Sequence, residues 1–123
     1  MIASASAIRS VLVVEDDDRV RNMLCDHARN RGCTVWEATN GLEALWIVKH
    51  QRLELVLLDL RMPRVDGFET LRHIRRFDPS IRIIIVTGDV SDETRRRVED
   101  LELGLLSKPF TLEALDAMLD RPT

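Results

Sequence analysis

Leu55-Val56-Leu57-Leu58-Asp59-Leu60-Arg61-Met62-Pro63 is the stretch from which the fold is read. Four apolar residues run straight into an acid, and a proline follows. A continuous Leu/Val run closed by a turn signal predicts a strand buried on both faces, as in parallel sheets. Pro63 cannot donate to a ladder and disfavours helix at Met62, so the strand is expected to end near Asp59. A carboxylate is thereby fixed at the carboxyl end of a central strand, where open α/β sheets bind ligands. From this stretch alone, an Asp that merely caps the next turn is an equal reading.

The same signature recurs on either side. Val11 to Val14 predicts a second buried strand, ending in Glu15-Asp16-Asp17-Asp18, one of whose last acids can cap a helix. Val20, Met23, Leu24 and Ala28 then share a helical face, and Gly32 is the expected stop. His27 lies on or near that face with no His or Cys at ligand spacing, so it reads as structural. Thr34 to Ala38 alternates and predicts a less central strand. Asn40-Gly41 turns into a helix with Leu42, Ala44, Leu45 and Val48 inward, and Trp46 is expected to pack at the rim of that helix.

Gly67 leads into a helix with Phe68, Leu71 and Ile74 inward, ending before Asp78-Pro79. Ile81 to Val86 is a fourth apolar strand, running into Thr87-Gly88-Asp89. Ser91-Asp92-Glu93 opens another helix, whose Arg95-Arg96-Arg97 run sits among Glu93, Glu99, Asp100 and Glu102 and reads as a salt-bridged surface. Gly104 to Ser107 is a short fifth strand closed by Lys108-Pro109, and Thr111 caps a last helix carrying Leu112, Leu115 and Leu119. Strands alternating with helices demand parallel pairing through right-handed crossovers. The fold class is therefore α/β, a doubly wound five-stranded parallel sheet with helices on both faces.

Composition sets outer limits. With 123 residues, 45% of them hydrophobic and 32% charged, the chain reads as one globular domain over 1–123, its first nine residues frayed. A net charge of −3 leaves no overall basic footprint for nucleic acid. Cys25 and Cys33 are too few for a disulfide framework and read as reduced packing residues. No apolar stretch approaches the roughly 20 residues of a membrane span, and Met1 to Ser10 lacks the pattern of a signal peptide. The expectation is a cytoplasmic protein that binds neither membrane nor nucleic acid.

Four strands end in distinctive polar residues: Glu15-Asp16, Asp59, Thr87 and Lys108. In a parallel sheet these ends share one edge. Three carboxylates crowded together are costly unless a cation neutralises them. An all-oxygen ligand set favours a hard ion, and Mg²⁺ fits best. A hydroxyl and an ammonium on the opposite flank supply what a phosphoryl group needs. A carboxylate can attack phosphorus to give an acyl phosphate. The residues themselves thus point to metal-assisted phosphoryl transfer onto an aspartate.

On these blocks the chain resembles the receiver domain of bacterial two-component response regulators. Val11-Leu-Val-Val-Glu15-Asp16, Asp59-Leu-Arg-Met62-Pro63-Xaa-Xaa-Asp66-Gly67, Val86-Thr87-Gly88 and Lys108-Pro109-Phe110 follow the family's blocks in order, over essentially the whole length. The resemblance implies a flavodoxin-like sheet of strand order 2-1-3-4-5. It implies Asp59 as phospho-acceptor, and Glu15 and Asp16 as the acidic pair that binds Mg²⁺ (with Mn²⁺ as a substitute). Asp59 and the backbone carbonyl of Arg61 are further metal ligands by the same resemblance. Thr87 matches the switch hydroxyl, Lys108 the phosphate-pairing lysine, and the Lys108–Pro109 bond is expected to be cis. Two departures stand out. Leu105 occupies a position where the family usually carries Tyr or Phe, and the segment from Thr87 to Lys108 is about one residue short. Neither removes a chemical group from Asp59, so the departures bear on readout.

The implied partners are a sensor histidine kinase or phosphotransfer protein upstream, and a target protein or a further output domain downstream, with a phosphorylation-dependent homodimer as an added option. Arg61 and Asp89, each two residues past a site residue, are expected to pair across the mouth of the site. An aspartyl-nucleophile phosphatase of the haloacid-dehalogenase type is the enzyme alternative. Its general acid, an Asp two residues after the nucleophile, is here Arg61, which cannot serve. A receiver-like module that works without phosphorylation is the binding alternative, to which Leu105 lends some weight.

Overall fold

A computed structural model describes residues 8–62 and 66–121. The expected fraying of the first residues, for 1–7, and the strand-stopping Pro63 lie outside these. Ten elements alternate: β1 (Ser10–Val14), α1 (Asp18–Asn30), β2 (Thr34–Ala38), α2 (Gly41–His50), β3 (Leu55–Leu58), α3 (Gly67–Phe77), β4 (Arg82–Thr87), α4 (Asp92–Asp100), β5 (Gly104–Ser107) and α5 (Leu112–Leu119).

Each helix starts where a short polar side chain can satisfy first-turn N–H groups. Asp17 accepts from Arg19 and Val20, Asn40 from Glu43, Asp66 from Phe68, Ser91 from Thr94 and Thr111 from Ala114. Glu43 also reaches back to the Thr39 N–H at 2.9 Å, closing a reciprocal box. Gly32, at φ +90°, takes the left-handed turn after α1 that a side chain would resist.

All strand pairs are parallel, in the order β2-β1-β3-β4-β5. The chain moves one way from β1 to β2 and the other way thereafter. Right-handed crossovers then require α1 on one face of the sheet and α2, α3 and α4 on the other. The two buried clusters follow this division. Leu24, Cys25, Leu115, Met118 and Leu119 pack on Val11, Val13, Leu55 and Leu57. Ala44, Val48, Phe68, Leu71, Ile74 and Val98 pack on Leu12, Val14, Val56 and Leu58. Alternate residues of β1 and β3 feed opposite layers, which is why residues 11–14 and Leu55–Leu58 are continuously apolar.

Helix faces are where the sequence reading needs correction. Leu42 was expected inward but is 70% exposed, because Gly41, Ala44 and Val48 form the buried stripe of α2 and Leu42 lies a hundred degrees off it. Trp46, one turn on, is 60% exposed and stacks on His50 with ring centroids 4.1 Å apart, instead of packing at the rim. Met23 and Leu112 are likewise exposed, and Cys25 takes the buried place on α1. His27 is structural, as read: its Nε2 lies 2.7 Å from Asp116 Oδ1 and ties α1 to α5.

Candidate functional site

Reversal of chain direction between β1 and β3 leaves a crevice at their carboxyl ends. Ladder bonds carry the main chain one residue past each strand: Glu15 N–H donates to Ala38 O and Asp59 N–H to Val14 O, both at 3.0 Å. Glu15 and Asp59 are therefore held by the sheet itself. They are 1% and 4% exposed. Asp16, the next residue, projects at the surface, and one carboxylate oxygen from each of Glu15, Asp16 and Asp59 falls within 4.8 Å of the others.

Lys108 reaches this group from the far side of the sheet. Its main-chain N–H donates to Thr87 O at 2.9 Å, continuing the β4–β5 ladder, and the Lys108–Pro109 bond is cis. Nζ donates to Asp59 Oδ2 at 3.2 Å and lies 2.5 Å from Glu15 Oε1. The second approach lacks hydrogen-bond alignment, so Glu15 Oε1 is buried without a proper donor among the described residues. Glu15 Oε2 accepts the Asp17 N–H at 3.2 Å, and Asp59 Oδ1 accepts the Arg61 N–H at 3.0 Å.

One ammonium is thus set against three carboxylates, and the electrostatics show the deficit. Burial pushes the Glu15 carboxyl up to about 7; Lys108 opposes the shift and Asp59 adds to it. For Lys108, burial favours the neutral amine, but Glu15 and Asp59 outweigh it and hold the ammonium above its ordinary range. A divalent cation fits this site: three hard oxygen donors converge, one buried oxygen lacks a donor, and negative charge exceeds positive.

Thr87 ends β4 fully buried. Its Oγ1 accepts the Asp89 N–H at 3.1 Å, which leaves the hydroxyl hydrogen free to donate elsewhere. The expected Arg61–Asp89 pairing is present only at its limit, with Nη2 and Oδ2 4.0 Å apart and Arg61 75% exposed. The firmer partner of Asp89 is Thr94, whose hydroxyl donates to Oδ2 at 2.8 Å. Sequence reading missed Thr94. The available signal was its place four residues before Val98, on the stripe that α4 buries. In the sequence Gly67 marks a helix start and closes the Asp59 block, without a steric reason. A Cβ there would lie 2.5 Å from Leu60 Cα and 2.8 Å from Leu60 O, so only glycine lets α3 begin this close to the Asp59 turn.

Known proteins carry the same pattern. The sequence signature described as the response regulator receiver domain matches residues 11–120. The chain is 37% identical to sporulation initiation phosphotransferase F of Bacillus subtilis (strain 168), over 85% of this chain and 86% of that protein. It is 39% identical to sensor kinase CckA of Brucella abortus (strain 2308), over 89% of this chain but 12% of that protein, so it corresponds to a small part of some relatives. Among solved structures, the receiver domain of a sensor histidine kinase from Pseudomonas aeruginosa PAO1, with a magnesium ion coordinated in its active site cleft, superposes with a TM-score of 0.82. That match has 27% identity and covers 94% of this chain and 97% of that one.

Proposed function

This chain belongs to the response regulator receiver domain family, the phospho-accepting switch of two-component signalling, and on that premise we propose that Asp59 is its phospho-acceptor. The observation that carries the assignment is the buried Asp59 carboxylate at a strand end, with Lys108 Nζ on one oxygen and two further carboxylates alongside. One Asp59 oxygen attacks the phosphorus of a phosphohistidine on a sensor kinase or phosphotransfer protein. The P–N bond breaks, its electron pair leaves with the imidazole, and an acyl phosphate remains on Asp59.

Glu15, Asp16 and Asp59, with the carbonyl of Arg61, hold Mg²⁺ in this reading, and Mn²⁺ could substitute. Bound metal supplies charge neutralisation between the acidic site and the phosphoryl oxygens. Lys108 supplies a second positive charge and, by following the phosphoryl group, leaves Glu15 to the metal. Thr87 donates its free hydroxyl hydrogen to a phosphoryl oxygen. That movement draws on the Asp89 N–H bond and hence on the start of α4, so two arrangements of the β4–α4 segment differ in free energy with phosphorylation. Downstream, this equilibrium biases contact with a target protein, an output domain or a second copy. We assign the domain no turnover beyond its own phosphorylation and dephosphorylation. The phosphatase alternative still lacks its acid, since Arg61 is the residue two after Asp59.

Intact-mass spectrometry after incubation with Mg²⁺ and acetyl phosphate tests the assignment. A single phosphoryl adduct is expected on the wild type and on neither Asp59→Ala nor a Mg²⁺-free control. An adduct that persists in Asp59→Ala would falsify the acceptor. Failure of both acetyl phosphate and a histidine kinase to phosphorylate the chain, together with no binding of the phosphoryl mimic beryllofluoride, would remove phosphorylation from the function altogether.

A further inference from the structure

Away from the phosphoryl site, the helix layer opens between α3 and α4. A cleft of about 630 Å³ has Arg72, Arg75 and Arg76 along one wall and Leu71, Leu101 and Leu103 as its floor. A smaller recess of about 250 Å³ shares Arg72 and Leu101 with it and adds Arg97. The Arg97 guanidinium lies over the Phe68 ring, 3.6 Å from its centroid.

On the α1 side of the molecule, Arg21 pairs with Asp18, Arg29 with Glu37, and Arg31 with Asp116 and Asp120. Arg72, Arg75, Arg76 and Arg97 have no carboxylate within 4.0 Å among the described residues. The Arg95-Arg96-Arg97 run, read from sequence as salt-bridged, is corrected accordingly: Arg95 bonds the Val90 carbonyl and Arg97 covers Phe68. In a chain of net charge −3, four arginines thus face the adjoining cleft and recess against two acids, Glu69 and Asp100.

We propose that the α3–α4 cleft docks an acidic amphipathic segment of a partner protein, with carboxylates on its four arginines and apolar side chains on the leucine floor. Arg72 and Arg76 are one helical turn apart, so the charges are strung along the groove and do not converge on a single compact anion. Guanidinium forks suit carboxylates at such spacing. The floor argues against nucleic acid, because leucines offer no ring for base stacking and the Phe68 ring is already covered. Glu69 in the cleft and Asp100 in the recess add a repulsive check on register. Arg75 and Arg76 sit at the end of α3 remote from Asp59, so the site does not depend on the phosphoryl chemistry.

The test is fluorescence anisotropy of a labelled peptide with glutamates four residues apart and leucines on the opposite helical face. The intact chain should bind it saturably. Affinity should fall by at least about tenfold in Arg72→Glu/Arg76→Glu, survive in Arg72→Lys/Arg76→Lys, and vanish when the peptide glutamates become glutamines. Circular dichroism and an unaltered Asp59 adduct verify that each variant is folded. Equal binding by wild type and the charge-reversed variant overturns the proposal, as does absence of saturable binding. An oligonucleotide that binds as tightly, and is lost in the same variant, also overturns it in favour of nucleic acid.

Discussion

Glu15 is buried beside Asp59 with one lysine, Lys108, between them, and burial makes its carboxyl sensitive to pH. Its carboxyl sits at about 7, against 4.5 for an ordinary glutamate. Between those values the native state keeps a proton that the unfolded chain has released. Stability of the metal-free protein should therefore fall as pH rises from about 4.5 to 7, by at most roughly 3 kcal/mol. Mg²⁺ requires the ionised carboxylate, so its affinity should rise through the same window and its binding should release protons. Thermal melts of wild type and Glu15→Gln, with and without Mg²⁺, resolve this; a wild-type slope matching the variant's would refute it. Gly67 makes the steric counterpart. Gly67→Ala should cost roughly 1–3 kcal/mol and slow Asp59 phosphorylation, because the Leu60 backbone cannot yield to a Cβ. Gly88→Ala, with nothing within 4 Å of its would-be Cβ, should stay within about 0.5 kcal/mol in denaturant melts.

Among the elements, α4 is tied to the site by two hydrogen bonds in series, Asp89 N–H to Thr87 Oγ1 and Thr94 Oγ1–H to Asp89 Oδ2. Thr94→Val should destabilise by about 1 kcal/mol and speed amide exchange around residues 89–95, while the Asp59 adduct still forms. Unaltered exchange there would mean that the start of α4 is held by Ser91 alone. Leu105 lies half-buried against the α2–α4 layer. On the proposed movement of Thr87, a leucine already packed against the core stands where the family usually carries an aromatic, and readout is then expected to run through α4. On α2, Leu42 and Trp46 stand on the solvent face, so Trp46→Ala should alter stability by no more than about 0.5 kcal/mol. The exposure of Leu42 was not legible in the sequence, because an apolar residue beside a buried stripe has the same letters as one within it.

For the whole molecule, ligand linkage gives a global readout of a local site. A cation that binds only the native arrangement of Glu15, Asp16 and Asp59 raises stability with concentration, by roughly 2.7 kcal/mol at a hundredfold excess over its Kd. The melting temperature should climb with Mg²⁺ in wild type and stay flat in Asp59→Ala. A parallel rise in both proteins would mean that Mg²⁺ acts elsewhere. No helix among the described residues is long and apolar enough to cross a membrane.

Strand number, parallel pairing, the caps at Ser91 and Thr111, and the gathering of Glu15, Asp16, Asp59, Thr87 and Lys108 at the strand ends were legible in the linear sequence. Buried parallel strands must be continuously apolar, so their polar ends stand out as punctuation, and caps act over three residues. Tertiary structure alone decided what depends on contacts between distant segments. Lys108 bridges Glu15 and Asp59, Asp89 bonds Thr94 more firmly than it approaches Arg61, and arginines outnumber acids along the surfaces between α3 and α4. Those outcomes turn on distances of a few ångströms between side chains on different elements, and hydrophobic periodicity fixes only which face an element buries.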